Sequence, residues 1–262
     1  MIPDGPGPLT NPTLEIIARR RSARVYAPTP LSAEEKQAIV NAALRAPTAG
    51  GMVLYSIIEI EDQALKDRLA VTCDDQPFIA KAPWVLVFCA DMQTWTDLFE
   101  AGGAYEMEGV EHRRALGPGD LLLACSDALI AAQTAVIAAE SLGIGSCYIG
   151  DVLENGETHA ELLELPPHTM PIAMVCFGRP AKPQEPIEHY AANLVHTDRY
   201  RRLSADDLTR VSEELAAFHA PHGLPPDVEN YPQAVYRRKI ASAFMREMNR
   251  SVAWWLERWQ RG

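Results

Sequence analysis

The stretch DALIAAQTAVIAAESLG, residues 127–143, is apolar on nearly every side when wound as a helix. A surface helix carries one apolar stripe, whereas a helix apolar all round sits in the middle of a domain with other layers packed around it. The segment therefore predicts a layered fold built on a central helix that stops at Gly143. It does not read as a bilayer span. The wider apolar region, residues 121–142, is interrupted by Cys125-Ser126-Asp127 and by Glu140, and its longest charge-free run falls short of the roughly 20 apolar residues a crossing needs.

The elements around it follow from local signals. Asn11 is placed as an N-cap and Pro12 as the first helical residue of NPTLEIIARRR. Ser32 and Glu35 form an S-x-x-E capping box at the start of LSAEEKQAIVNAALRAP, which Pro47 stops. Residues 54–60 are β-branched and read as a strand, and a short helix around 64–70 follows. WVLVFCA (84–90) and MPIAMVCFG (170–178) are continuous apolar runs, the pattern of strands buried on both faces. Residues 95–119 mix Trp95, Phe99, Tyr105 and Met107 with acids and glycines, as a lid or an irregular surface excursion does. Two more helices follow Ser204, and the last carries three tryptophans, which implies packing on its own domain or on another subunit. No G-x-G-x-x-G follows an early strand, which argues against a dinucleotide-type Rossmann start, and a mixed α+β layer fold is expected.

The formal net charge is −11, which argues against nucleic acid as the main partner. The cysteines, Cys73, Cys89, Cys125, Cys147 and Cys176, include no C-x-x-C pair and are odd in number. They read as reduced thiols of a cytoplasmic protein. The opening MIPDGPGPLTNP has neither a basic start nor an apolar run and does not read as a signal peptide. His112, His159, His168, His189 and His196 share no ligand spacing; they read as surface or loop histidines, and no metal site is expected.

Against that negative balance, RRRSARVY (19–26) concentrates four arginines in six positions. Guanidinium forks match phosphate oxygens, so Arg20, Arg21 and Arg24 with the Ser22 hydroxyl suit a small phosphate-bearing anion, although cations at a helix C-terminus explain the same residues. Two further segments are rich in small residues. Pro47, Thr48, Ala49, Gly50 and Gly51 follow a helix stop, where glycines let backbone approach a flat ligand or simply form a loop. SLGIGSCYIGDV (141–152) has three glycines in eight residues, and its backbone is suited to lying against an aromatic ring. A helix C-cap and a strand entrance are the alternative.

In order and spacing these segments resemble the FMN-dependent nitroreductase family. The resemblance rests on Arg20-Arg21-Ser22-Ala23-Arg24, on Ala46-Pro47-Thr48-Ala49-Gly50-Gly51, and on KAPWVLVFCAD. It continues through the run from Asp127 to Gly150 and the F-G-x-P of Phe177 to Pro180, covering roughly residues 12–200. It implies a nitroreductase-like fold, with a central mixed but mainly antiparallel sheet flanked by helices, in an intertwined homodimer with FMN at the interface. The implied domains are an FMN-binding domain over 1–203 and a helical extension over 204–262. Arg20, Arg21, Ser22 and Arg24 would hold the flavin phosphate, with Arg179 or Lys182 standing in for a basic residue usually found after the last strand. The stretch PIEH (186–189) has Glu188 near that place. The Pro47–Gly51 loop would come from the other subunit. The backbone of Ile149 and Gly150 would lie at the flavin N5, with Cys147 and Tyr148 beside it, and Asp75 or Gln76 would reach the ring edge. The family's usual Asn and Gln in the small-residue loop are replaced by Gly51 and Val53.

The resemblance implies an enzyme with no catalytic side chain, because the flavin carries the chemistry. Hydride from NADH or NADPH would pass through N5 to a nitroaromatic, quinone or similar planar acceptor in ping-pong turnover. A specialised flavin reductive dehalogenase or dehydrogenase on the same scaffold, and a non-catalytic flavin-binding or regulatory protein, are the alternatives. Cys147 beside the turn reads as an inert core thiol, and Tyr148 as packing behind the ring.

Overall fold

The computed structural model describes residues 10–109, 113–182, 193–220 and 223–261. Residue contacts group Asn11–Pro186 with Met248–Gly262 as one compact unit and Met1–Thr10 with Ile187–Glu247 as another. The last helix contributes its C-terminal part to the larger unit.

In the larger unit α1 (Pro12–Arg19) starts where Asn11 accepts from the Leu14 N–H at 3.0 Å. Helix α2 (Ala33–Ala43) starts with the full Ser32/Glu35 capping box. Strand β1 (Tyr55–Glu59), helix α3 (Gln63–Thr72), the single-turn α4 (Pro77–Ala80) and strand β2 (Trp84–Asp91) follow. Then come α5 (Gln93–Ala101), the long α6 (Pro118–Ser141), β3 (Gly145–Ile149), α7 (Gly156–Leu162) and β4 (Thr169–Gly178). The strands form one antiparallel sheet in the order β1-β2-β4-β3. All of β2 and nine-tenths of β4 are buried, as their unbroken apolar runs require. Parallel pairing among the described residues is confined to one bridge, Ser22 to Ser146.

Helix α6 packs on the sheet and on α2. Ala124, Ala128, Ala131, Ala132, Ala135 and Ala139 form its buried face, and their small side chains let the helix lie close to the strands. The expectation of full enclosure fails on the other face. Leu122 is 67% and Leu123 53% exposed, and Leu129 and Ile130 are exposed as well. By length and composition α6 is also the one described helix able to cross a membrane, but its alanine face belongs to the core of the sheet.

The segment from 95 onward is more ordered than its composition implies. It continues α5, with a tilted Trp95–Phe99 pair at 5.5 Å and an edge-on Phe99–Tyr105 pair at 6.3 Å. The second unit contains α8 (Ala205–His219), capped by Ser204 and Asp207, and α9 (Tyr231–Val235). Helix α10 (Ala243–Arg261) ends the chain, and its Trp255 and Trp259 are each 1% exposed within the core of the larger unit.

Candidate functional site

The arginine segment is stitched to the sheet from both sides. The Ala23 N–H donates to Ser146 O at 2.8 Å, and Ser22 forms its bridge to the same residue of β3. Further on, the Ala27 N–H donates to Arg179 O and the Ala181 N–H to Val25 O. The Tyr26 hydroxyl donates to Ala23 O at 2.6 Å. Gly145 permits this approach: a Cβ there would lie 2.9 Å from the Ala23 Cβ and from Pro180 Cγ. The guanidinium cluster thus lies along β3, the strand that runs into Gly150.

Electrostatics mark the same neighbourhood. Burial pushes the Cys147 thiol above its usual range, opposed by Arg24, the Ser22 hydroxyl and Arg20. Burial also raises Tyr148, with Arg20 again opposing, and its hydroxyl donates to Gln133 Oε1 at 3.3 Å. Glu140, near the end of α6, is raised by burial and lowered by Arg20. Arg20, Ser22, Arg24, Cys147 and Tyr148 therefore form one cluster. At the end of β3, Gly150 is exposed and an added Cβ would meet nothing within 4 Å. The side of Gly150 where a side chain would stand is open.

The small-residue loop lies elsewhere on α6. Asp127, 2% exposed, accepts from the Ala49 N–H at 2.9 Å through one carboxylate oxygen and from the Leu54 N–H at 3.0 Å through the other. This explains an acid in so apolar a helix: a buried carboxylate needs donors, and the loop supplies two. Gly50 and Gly51 have φ of +57° and +71°, and Val53, standing where a polar residue is usual, has φ +55°. The Trp95 indole N–H donates to Met52 O at 2.7 Å and ties α5 to this loop.

Three expectations change. The Arg179 guanidinium is paired with Glu35, the acid of the α2 capping box, so its charge is compensated there. The Gln76 side-chain amide donates to Cys73 O at 2.8 Å and closes its own loop, beside Asp74 and Asp75 in left-handed conformations. His159 and His168 are 0% and 5% exposed rather than surface residues. His112, Glu188 and His189 lie outside the described residues. Sequence reasoning missed the part played by Asp127, although a lone acid inside DALIAAQ was the signal. It also missed Ser251 and His159, whose partners lie 87 to 98 residues away or in a turn not read as an element.

Arg20, Ser22 and Arg24 thus lie beside β3, an edge strand of this α+β fold that runs into an exposed glycine turn. Comparison with known proteins narrows the class. The model of the Nitroreductase family matches residues 17–179. An oxygen-insensitive NADPH nitroreductase of Salmonella typhimurium is 33% identical over 218 residues, 81% of this chain and 85% of its own. An FMN reductase (NADPH) of Bacillus subtilis is 33% identical over 199 residues, 73% and 78% of the two chains. The solved NADPH:FMN oxidoreductase of Vibrio harveyi complexed with NAD+ superposes with a TM-score of 0.76 at 26% identity, over 94% of this chain and 98% of that one. The chain belongs to the nitroreductase family.

Proposed function

We propose that the protein is a cytoplasmic NAD(P)H-dependent FMN oxidoreductase, active as a homodimer, that reduces uncharged planar acceptors such as nitroarenes and quinones by ping-pong turnover. The observation that carries this is the donor set at β3. The Arg20, Arg21 and Arg24 guanidiniums only donate and the Ser22 hydroxyl can donate with them, the complement of a phosphate dianion, and the strand beside them ends where Gly150 leaves room for a flat ring. The residues present therefore fit FMN. The relatives named as NADPH nitroreductase and FMN reductase support the same cofactor pair.

When bound, FMN supplies two-electron transfer between a nicotinamide and an acceptor. The chain supplies placement. Arg20, Arg21, Ser22 and Arg24 would hold the phosphate end, and the Gly150 backbone would lie against the ring. No side-chain acid or base is required, because solvent supplies protons to a reduced nitro group or quinone.

Two features support a dimer. The small-residue loop is anchored at Asp127, whereas Arg20 lies near Glu140. Thirteen residues of α-helix separate those points by about 20 Å, so one chain presents the two halves of the site well apart, one at the middle of α6 and the other at its C-terminal end. A second copy brings them together and covers the exposed Leu122, Leu129 and Ile130 of the same helix. The acceptor class follows from a cavity of about 520 Å³ beside the loop, lined by Met52, Leu54, Phe99, Tyr105, Leu116 and Leu123. That volume suits a small aromatic molecule. The polar groups at its edge pair locally, Arg114 with Asp120 at 2.7 Å and Arg113 with Glu100 at 3.6 Å, so the cavity presents little net charge.

The test is anaerobic titration of the FMN-loaded protein with NADPH and NADH, followed by menadione or nitrofurazone. Bleaching of the flavin bands and their return on adding the acceptor are expected. Bound flavin that neither nucleotide bleaches would establish a binding protein instead, and halide release from a haloaromatic without reduction of the other acceptors would establish the dehalogenase.

A further inference from the structure

The turn after β3 is held from outside by two buried polar side chains. Residues Gly150–Leu153 make one turn of 3₁₀ helix, whose last carbonyls have no partner within the turn. Val152 O lies 2.8 Å from His159 Nδ1, and Leu153 O accepts from the Ser251 hydroxyl at 2.6 Å. The Ser251 oxygen in turn accepts from the Gly156 N–H at 2.8 Å. A carbonyl can only accept, so His159 carries its proton on Nδ1, and Nε2 accepts from the Thr72 hydroxyl at 2.8 Å. Asn155 Nδ2 adds a bond to Thr72 O at 2.8 Å. The turn is thereby fastened to the end of α3 on one side and to α10 on the other.

The seat has no slack. His159 and Ser251 are both 0% exposed. A Cβ at Gly156 would lie 2.8 Å from Trp255 Nε1 and 2.9 Å from both Ser251 Oγ and Trp254 Cε3. These bonds hold the carbonyls two and three residues beyond Gly150, whose side-chain side is open.

We infer that His159 and Ser251 are positioning residues for the flavin: by capping successive carbonyls of the 150–153 turn they fix the direction of the Gly150 N–H, which makes the C-terminal helix part of the redox site. The inference rests on the reading that FMN lies against Gly150. A fixed donor at the ring favours the reduced, more negative flavin, and a turn that wanders loses that preference.

The test is the two-electron midpoint potential of bound FMN, with kcat and KM for NADPH, in the holoenzyme. Ser251→Ala and His159→Leu are expected to lose about tenfold of the preference for reduced over oxidised flavin, a potential lower by about 30 mV. Their kcat should fall with KM nearly unchanged. His159→Asn keeps a donor at the Nδ1 position and should recover most of the shift. Trp259→Phe, on the same helix but without a bond to the turn, controls for general loosening and should lower Tm without moving the potential. Wild-type potentials in both Ser251→Ala and His159→Leu would overturn the inference, as would an equal shift in Trp259→Phe. Should His159→Leu fail to fold, Ser251→Ala decides alone. A wild-type protein that takes up no FMN would refute the cofactor reading itself, a result distinct from holoenzymes with unshifted potentials.

Discussion

Val53 is the most strained residue described at the site. A β-branched side chain at φ +55° sits where the left-handed region costs a non-glycine residue about 1–2 kcal/mol. Its side chain is 48% exposed, so packing returns little. Val53→Asn, which tolerates this conformation, is expected to stabilise the protein by about 1 kcal/mol, read as a rise in the denaturant midpoint at constant m-value. Asp127 is the opposite case. Asp127→Asn turns an amide N–H₂ toward one of the two backbone donors and should cost about 2–3 kcal/mol in the same assay. The arginine cluster was legible because four like charges in six positions demand a counter-charge. The pairing of Arg179 with Glu35 was not legible because Glu35 already had a sufficient role as a helix cap.

At the scale of elements, local chemistry was the most readable. The Asn11 cap, the Ser32/Glu35 box and the apolar runs of β2 and β4 each carry their signal within a few residues, and the structure places each where the signal lies. Strand β3 and the 150–153 turn were hidden because GIGSCYIG reads equally as a glycine loop; its strand character comes from pairing with β4, where Cys147 faces Cys176. That pairing buries the thiols. Burial raises the thiol pKa values throughout, to about 11 for half-buried Cys125 and upward for Cys147. At neutral pH the thiolate needed for alkylation is scarce, about one in ten thousand for a pKa of 11. Iodoacetamide on the native protein at pH 7 should therefore leave all five cysteines unmodified over minutes. Rapid labelling of Cys147 would contradict the packing described.

The whole molecule explains what the central helix could only suggest. An all-round apolar α6 implies enclosure, and the chain encloses one face with alanines while leaving leucines and Ile130 on the other. A sequence records that the helix must be covered but not by what; the proposed dimer would cover it with a second copy. Ile130→Arg is expected to convert a dimer to monomers by light scattering and to release FMN, while the far-UV spectrum stays that of the wild type. Acid sensitivity also belongs to this scale. Burial holds His159 below its usual pKa near 6.5, so the folded state resists a proton that the unfolded chain accepts. Stability is then complete above pH 6.5 and falls as the pH drops below it, by at most about 1.4 kcal/mol per unit. His159→Asn should flatten the stability–pH curve just below pH 6.5. Asp120 and Glu157, held low by hydrogen bonds from Arg114 and Arg250, lose their contribution only at more acid pH, as each falls through its folded-state value.

The most direct test of the central claim is FMN affinity, measured by flavin fluorescence quenching, for the wild type and for Arg20→Ala/Arg24→Ala. Two lost charge-assisted contacts of about 1.5–3 kcal/mol each predict a Kd at least about 100-fold weaker in the double variant, with riboflavin, which lacks the phosphate, bound equally by both proteins. An unchanged Kd for FMN in the double variant would show that the guanidinium cluster along β3 does not hold the phosphate.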